Sequence, residues 1–288
     1  MKPIDVGAGL YDAHNHLQDE RFQGCQSELV EASLGVGVTR MVVNGSSEED
    51  WPWVLDLARR FPSVVPSFGY HPWYIAQRTP EWRERLVEFL DLSGGCVGEI
   101  GLDRWREPSD PVAQEEVFTW QLRLAAERNL PVSLHCLKAW GALETVLRRE
   151  PRPERGFLLH SYGGPVEMVP AFVKLGAYFS FPGYFLHERK QRQRETFLHV
   201  PEERLLIETD APDQLPPDPV LDFRLPVAAN GTVLNHPANL AAVYRGFAAF
   251  AKTPLELLTR RVADNFSRFF LAGRTTSASF PDETNKTE

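Results

Sequence analysis

Eight short apolar runs, rich in β-branched residues, recur along this chain and alternate with segments of helical periodicity. They are LYDAHNHL (10–17), VTRMVVNGS (38–46), VVPSFGYHP (64–72), CVGEIGLD (96–103), LPVSLHCL (130–137), GFLLHSYG (156–163), AYFSFPGY (177–184) and LLIETDAP (205–212). Strands that alternate with helices pair in parallel, and eight of them can close a barrel. The sequence therefore predicts an α/β fold, a single (β/α)8 TIM barrel.

An open, doubly wound sheet is the alternative, and it would place a glycine-rich turn after the first strand. The chain has HNHLQDE (14–20) there, which does not resemble such a turn. The clearest helix is predicted over 111–129, with Pro111 in its first turn. Its apolar face is predicted to carry Val112, Val117, Trp120, Leu124 and Ala125.

The length of 288 residues would suit two domains of about 150 residues, but single barrels of about 250 residues are a known exception. We therefore expect one barrel domain over residues 1–271. The last segment, 272–288, is polar and without periodicity, and we expect a disordered tail there.

Charge and cysteine content narrow the classes of partner. The formal net charge of −8 gives no overall attraction to nucleic acid or to an anionic membrane, so a phosphate-bearing substrate would need local cations such as bound metal. The three cysteines form neither a disulfide framework nor a CxxC site. No leader or membrane-spanning apolar run is evident. We expect a cytoplasmic protein with no membrane partner and no obligate protein partner.

Polar side chains gather at the predicted strand ends, where the active site of such a barrel is built. These residues are His14, His16, His71, Glu99, Asp103, His135, His160, Glu208 and Asp210. Parallel strands are buried on both faces, so ionisable side chains there must be paired or metal-bound.

His14 and His16 lie two residues apart and so point to the same side of a strand, where both can reach one ion. An isolated HxH at a strand end is usually coincidental. Joined by Glu99, His135, His160 and Asp210, it indicates a metal site. Four imidazoles and two carboxylates exceed the needs of one tetrahedral ion and suit two divalent ions about 3.5–4 Å apart.

Five motifs now carry a family resemblance: DAHNHL (12–17), GEIGLD (98–103), PVSLHC (131–136), LLHSYGG (158–164) and LLIETDAPD (205–213). In the same order, they resemble the TatD-type metal-dependent deoxyribonucleases of the amidohydrolase superfamily over roughly residues 10–270. The resemblance implies that His14, His16 and Asp210 hold one ion and that His135 and His160 hold the other, with Glu99 bridging both.

The remaining strand-end residues have competing interpretations. Asp210 would also orient the metal-activated water and accept its proton. His71 resembles a family site residue that contacts phosphate or protonates the leaving group, and a structural histidine beside a proline turn is the alternative. Asp103 either orients a ligand histidine or caps the turn after the fourth strand. Glu208, two residues before Asp210, either shares its face or pairs with an Arg or Lys at the base of the barrel, and we expect the second.

The chain departs from the family pattern around the substrate. After His135 it has Cys136-Leu137-Lys138-Ala139 where many members have Ser-Arg-Asp-Ala, so Lys138 offers a point charge instead of an arginine fork. The loop 213–235 has Arg224 as its only cation. A basic run over 187–197, with Arg189 and Arg192 among its cations, is a candidate nucleic-acid contact, although a solvated helix face is the commoner explanation.

Three functions remain open on the sequence alone. The first is a two-metal phosphodiesterase or deoxyribonuclease of the 3′–5′ exonuclease type, with single-stranded DNA or a strand end as substrate. The second is a two-metal amidohydrolase acting on a small amide, lactone or ester. The third is a metal-binding protein without catalysis. The ligand set allows Zn, Mn or Mg.

Overall fold

The computed structural model describes residues 9–22, 24–227 and 231–273. Eight parallel strands follow one another around a barrel in chain order. They are β1 (Leu10–Asn15), β2 (Val38–Asn44), β3 (Val64–Phe68), β4 (Cys96–Asp103), β5 (Val132–Leu137), β6 (Phe157–Leu159), β7 (Ala177–Pro182) and β8 (Leu205–Glu208). The predicted (β/α)8 barrel is confirmed.

Backbone hydrogen bonds bring the two ends of the sheet together. The His16 N–H donates to the Ala211 carbonyl over 2.7 Å, and the Asp210 N–H donates to the His14 carbonyl over 2.9 Å. These bonds join the end of β1 to the segment after β8, so the first and last predicted ligand residues become neighbours.

Helices alternate with the strands and bury one face against them. They are α1 (Gln26–Gly35), α2 (Trp51–Arg60), α3 (Trp82–Ser93), α4 (Pro111–Glu127), α5 (Trp140–Arg149), α6 (Val169–Lys174), α7 (Gln191–Thr196), α8 (Leu240–Ala251) and α9 (Leu255–Phe266). Fully buried apolar side chains such as Leu86, Leu147 and Phe157 fill the space between the layers. Among the described residues, no helix is long and apolar enough to cross a membrane.

The strands are shorter than the apolar runs that predict them. β3 ends at Phe68, yet Gly69, Tyr70, His71 and Pro72 after it are also buried. The same happens after β6, which has three residues, and after β7, where Gly183–Leu186 forms a 3₁₀ turn. The segments directly after β3, β6 and β7 stay largely buried at the barrel mouth, so apolar sequence continues beyond the paired residues.

Helix α4 begins where its sequence predicts. The Asp110 side chain accepts the N–H groups of Val112 and Ala113, and Pro111 fills the first turn. The predicted face was wrong in one residue, because Val112 is 80% exposed while Val117 is buried. Five residues rotate a helix by about 140°, which places Val112 on the solvent side of the helix.

Gly101 allows β4 and β5 to approach at the level of the site. It pairs with His135 and has φ +147°, and a Cβ built there would lie 2.0 Å from the His135 carbonyl oxygen. Any larger residue would push the two strands apart. The glycine in GEIGLD therefore sets the separation between Glu99, Asp103 and His135.

The predicted domain limits are only partly covered by the structure. Ala272 and Gly273 follow a π-helical turn at Ser267–Leu271. Residues 1–8 and 274–288, which include most of the predicted tail, lie outside the described residues.

Candidate metal centre

His14 and His16 present their Nε2 atoms to one point at the mouth, 3.3 Å from each other. Their outer nitrogens are held by neutral groups. His16 Nδ1 lies 2.8 Å from the Asn44 carbonyl oxygen, and His14 Nδ1 lies 2.8 Å from Ser133 Oγ. A carbonyl only accepts, so His16 carries its proton on Nδ1 and directs the Nε2 lone pair inward.

The Glu99 carboxylate lies at the centre of the imidazoles. Its two oxygens are 2.8–3.4 Å from the nearest ring nitrogens of His14, His16, His71, His135 and His160. Burial opposes its ionisation, but the charges of His160, His71 and His14 hold its pKa well below the usual range. Glu99 is therefore a buried anion that faces two groups of histidines.

Asp210 approaches the same point from the segment after β8. Its Oδ1 lies 3.7 Å from His14 Nε2 and 3.6 Å from His16 Nε2. The residue has φ +52°, a conformation that L-residues other than Asn and Asp rarely adopt. Burial raises the pKa of Asp210 to about 7, against the opposing charges of His160 and His16.

The donor set fits a divalent cation. In the neutral ring the His16 Nε2 lone pair would face Glu99 Oε2 at 3.1 Å and Asp210 Oδ1 at 3.6 Å, an arrangement that is repulsive unless a proton or a metal cation lies between the atoms. Burial lowers the pKa of His16, but the hydrogen bond and charge of Glu99 and the charge of Asp210 raise it to about 9. The position attracts a cation, and imidazole with carboxylate is a common ligand set for zinc or manganese.

Potential ligand atoms within 4.8 Å of one another form three overlapping groups. One contains His14, His16 and Asp210, the second contains His14, Glu99 and His160, and the third contains His71, Glu99 and His135. The structure thus brings together the six residues predicted as metal ligands, and it adds His71 at their edge.

His135 and His160 differ from the first pair because carboxylates face their outer nitrogens. His135 directs Nδ1 to Glu99 Oε1 at 2.9 Å and Nε2 to Asp103 Oδ2 at 2.8 Å. His160 directs Nε2 to Glu99 and leaves Nδ1 3.8 Å from Glu208 Oε1. Carboxylates behind ligand histidines fix ring orientation and raise ligand basicity.

Asp103 makes the contacts of both interpretations that the sequence left open. Its Oδ2 faces His135, while its Oδ1 accepts the backbone N–H groups of Trp105 and Arg106 at 2.6 and 3.0 Å. Burial raises the pKa of Asp103, but the hydrogen bonds from His135 and from the Arg106 backbone hold it well below its usual range.

The expected Arg or Lys partner of Glu208 was wrong. Its carboxylate accepts the Ser161 N–H over 2.8 Å and the hydroxyls of Ser161 and Ser180, and it lies behind His160 at the mouth. Burial raises the pKa of Glu208, and the contacts with His160 and Ser161 lower it below its usual value. The residue belongs to the site and not to the barrel base.

His71 is anchored in the opposite sense to His16. Its Nδ1 accepts the backbone N–H of Trp73 over 3.1 Å, so the neutral ring carries its proton on Nε2, which faces Glu99 at 3.4 Å. Burial lowers the pKa of His71 to about 4, which favours this neutral form. With this tautomer His71 is a hydrogen-bond donor to the site rather than a ligand.

Two groups of cations border the mouth. We call Arg104, Arg106 and Lys138 the β4–β5 rim, since they begin the loops after β4 and β5, and the Arg104 N–H donates to the Leu137 carbonyl. We call Arg189, Lys190, Arg192 and Arg194 the β7 rim. There Arg189 and Lys190 lie over the Tyr184 ring, and Arg194 donates to the Leu186 carbonyl over 3.1 Å.

Sequence reasoning missed three residues that anchor the histidines. Asn44 ends β2, and Ser133 lies two residues before His135 and so shares its side of β5. Ser180 lies in β7, which like β2 had no predicted strand-end residue, and it acts on His160 only through Glu208. A polar residue within an otherwise apolar strand was the available signal in each case.

Comparison with known proteins completes these findings. The family described as "TatD related DNase" matches residues 11–271. The "3'-5' ssDNA/RNA exonuclease TatD" of Escherichia fergusonii is 34% identical over 213 residues, which cover 73% of this chain and 81% of that protein. The "uncharacterized metal-dependent hydrolase YabD" of Bacillus subtilis is 28% identical, with 91% and 98% covered.

A solved structure with a similar fold is YjjV, a TatD homologue from Escherichia coli. It is 25% identical, has a TM-score of 0.82, and covers 91% of this chain and 97% of its own.

Proposed function

The chain belongs to the TatD-related DNase family, and we propose that it is a metal-dependent 3′–5′ exonuclease acting on single-stranded DNA or RNA. The observation that carries the proposal is the buried Glu99 carboxylate between two histidine pairs, whose outer nitrogens face a carbonyl, a hydroxyl or a carboxylate. A barrel mouth also suits a strand end better than a duplex. We further propose that residues 1–271 act as one domain, located in the cytoplasm.

We propose that the centre holds two divalent ions. His14, His16 and Asp210 would hold one, His135 and His160 the other, and Glu99 would contact both. Bound there, the ions would supply an acidified water and stabilise charge on the reacting phosphoryl group. The imidazole-rich set favours zinc or manganese over magnesium.

The residues of the chain divide the remaining work. Asp210, at the solvent-facing side of the ligand cluster, orients the attacking water through Oδ1 or Oδ2 and accepts its proton. His71 donates a hydrogen bond from Nε2 to a phosphate oxygen or to the leaving oxygen. The bond that Nδ1 accepts from the Trp73 N–H supports this role, because it leaves the ring proton on Nε2. Glu208 and Asp103 hold His160 and His135 in place.

The protein cations that would contact the substrate come from both rims. Lys138 and its neighbours lie beside the carboxyl ends of β4 and β5, and we propose that they contact phosphates next to the scissile bond. Arg189 and Arg192 would contact the strand further along. Each contact adds a sequence-independent, salt-sensitive contribution to binding.

The test uses protein stripped with a chelator and reloaded separately with Zn²⁺, Mn²⁺ or Mg²⁺. The substrates are a 5′-labelled single strand of DNA or RNA, bis(p-nitrophenyl) phosphate, and a panel of cyclic amides and lactones. We expect a ladder that shortens from the 3′ end, two ions per chain by elemental analysis, and one ion in a His135→Ala/His160→Ala variant. Turnover of an amide or lactone without cleavage of any polynucleotide would overturn the proposal.

A further inference from the structure

Two tryptophans stand exposed beside the metal centre. Trp73, two residues after His71, is 37% exposed, and Trp105, two residues after Asp103, is 57% exposed. Leaving large apolar rings in water is unfavourable, at about 25 cal/mol per Å² of apolar surface. Exposed aromatic rings at the mouth of an active site are candidates for ligand contact.

Trp73 is fixed directly to the metal centre. Its indole Nε1–H donates to Asp103 Oδ2 over 2.7 Å, and the same oxygen lies 2.8 Å from His135 Nε2. The ring also meets the imidazoles of His71 and His135 edge-on, with centroids 4.9 and 5.8 Å away. The plane of the indole is therefore set before substrate arrives, which lowers the entropic cost of binding against it.

Arg106 lies over the same ring. Its guanidinium carbon is 4.8 Å from the Trp73 centroid, and the bond from the Arg106 N–H to Asp103 fixes the backbone beneath it. Within the described part of the chain, the guanidinium groups of Arg104 and Arg106 and the Lys138 ammonium form no ion pair. Some other exposed arginines are neutralised, as Arg83 is by Glu116 and Arg149 by Glu115.

A ligand for this surface must combine a flat ring with negative charge. Unpaired nucleobases stack on aromatic rings and on guanidinium planes, while free cations beside them contact the phosphates. A duplex end keeps its bases stacked on each other, whereas a single strand can offer one base to the protein. The chemistry selects the nucleobase of a single-stranded polynucleotide.

We propose that Trp73 and Arg106 form a stacking shelf for the base of the nucleotide at the reacting end of the strand, with Arg104 and Lys138 on its phosphates. The proposal rests on the proposed nuclease function and names how that site holds its substrate. Since every base has a π face, the shelf serves strand ends of any sequence.

The test compares two single strands that differ only in the 3′-terminal nucleotide, which carries a base in one and a tetrahydrofuran abasic analogue in the other. Base stacking of this kind corresponds to about 5- to 150-fold in affinity. We expect the parent to cleave the base-bearing strand at least about 5-fold faster in kcat/KM. Trp73→Leu should lose that preference because its rate on the base-bearing strand falls further than its rate on the abasic one, and any fall shared by both strands reports the lost bond to Asp103.

Two further variants separate stacking from structure. Trp73→Phe keeps a ring but loses the bond to Asp103, so it should retain most of the preference. Trp53→Leu, on an exposed tryptophan of α2 (64% exposed), should leave both rates unchanged. Thermal melting of each variant identifies loss of fold.

The outcomes are distinct. If Trp73→Leu lowers both rates equally, or if Trp73→Phe loses the preference as fully, Trp73 only supports Asp103 and the shelf is wrong. If the parent shows no preference, the shelf is also wrong. If the parent cleaves neither strand but hydrolyses bis(p-nitrophenyl) phosphate, the nuclease function itself fails, and the stacking proposal falls with it.

Discussion

The β4–β5 rim and the β7 rim each place cations beside an aromatic ring, yet they differ in what the ring is attached to. Trp73 under Arg106 is bonded to Asp103 and touches two histidines of the centre. Tyr184 under Arg189 and Lys190 contacts His187, whose ring bonds the Leu215 carbonyl. Only the first arrangement contacts the proposed metal ligands directly.

The availability of the charges differs too. On the β7 rim, Arg189 bonds the Tyr184 hydroxyl at 2.9 Å and Arg194 bonds the Leu186 carbonyl, so part of the positive charge holds the segment itself together. Among the described residues the cations of neither rim form an ion pair, but those of the β4–β5 rim also make no side-chain hydrogen bond. Density of charge along a sequence therefore does not measure the charge offered to a ligand.

The largest expected effect comes from substitution of Asp210, the proposed proton acceptor at the mouth that both rims border. Asp210→Asn keeps nearly the same shape, so the fold should remain, but the loss of the proton acceptor should cut hydrolysis by at least ~10². The drop should be equal for a single strand of DNA and for bis(p-nitrophenyl) phosphate, in steady-state assays with fold checked by thermal melting. Parental turnover in the variant would remove Asp210 from the mechanism.

A pair of matched triple variants compares the rims themselves. Arg104→Gln/Arg106→Gln/Lys138→Gln should raise KM for a single strand and flatten its log–log salt dependence by about 1.4, since two phosphate contacts, those of Arg104 and Lys138, are lost at roughly 0.7 each. Arg189→Gln/Lys190→Gln/Arg192→Gln removes the same charge and should flatten it by about 0.7, because Arg189 already bonds the Tyr184 hydroxyl and Arg192 is left to make the full phosphate contact.

The readout of that comparison is kcat/KM between low and moderate salt, with bis(p-nitrophenyl) phosphate as the reference substrate. Its hydrolysis should change little in either variant, because the metal centre is untouched. A steeper loss in the β7 variant would reverse the ranking and move the binding surface to the other side of the mouth.

The smallest effect concerns stability. Arg194→Ala breaks the bond to the Leu186 carbonyl and the packing of the guanidinium over Phe250, and should cost about 1–2 kcal/mol in the free energy of unfolding. Arg192 is exposed, and its side chain makes neither kind of contact with the described residues. Arg192→Ala should therefore change the free energy of unfolding by no more than about 0.5 kcal/mol. Urea titration measures both, and equal effects would show that Arg194 is as free as Arg192.

The barrel and the meeting of the six ligand candidates could be predicted because both follow from strand order. Residues at the carboxyl ends of parallel strands meet at one mouth whatever their loops do. The apolar runs also predicted where each strand lies. They did not predict where it ends, because the segments after β3 and β6 are largely buried as well.

What escaped prediction depends on which atom faces which. Glu208 accepts hydrogen bonds from Ser161 and Ser180. Trp73 donates to Asp103, which lies thirty positions further along the chain in a separate loop. Which ring nitrogen of His71 carries the proton depends on one backbone N–H, that of Trp73. Such choices are set by register and by side-chain conformation, which residue spacing does not encode.

The Asp103 carboxylate has a consequence for anyone who wishes to redesign this protein. One side chain accepts from the Trp105 and Arg106 backbone, from the Trp73 indole and from His135. Grafting a foreign loop at Asp103 would therefore disturb catalysis and substrate preference at once. A designer who wants new selectivity with the chemistry intact should keep residues 103–106 and begin variation at Glu107, where the chain is exposed.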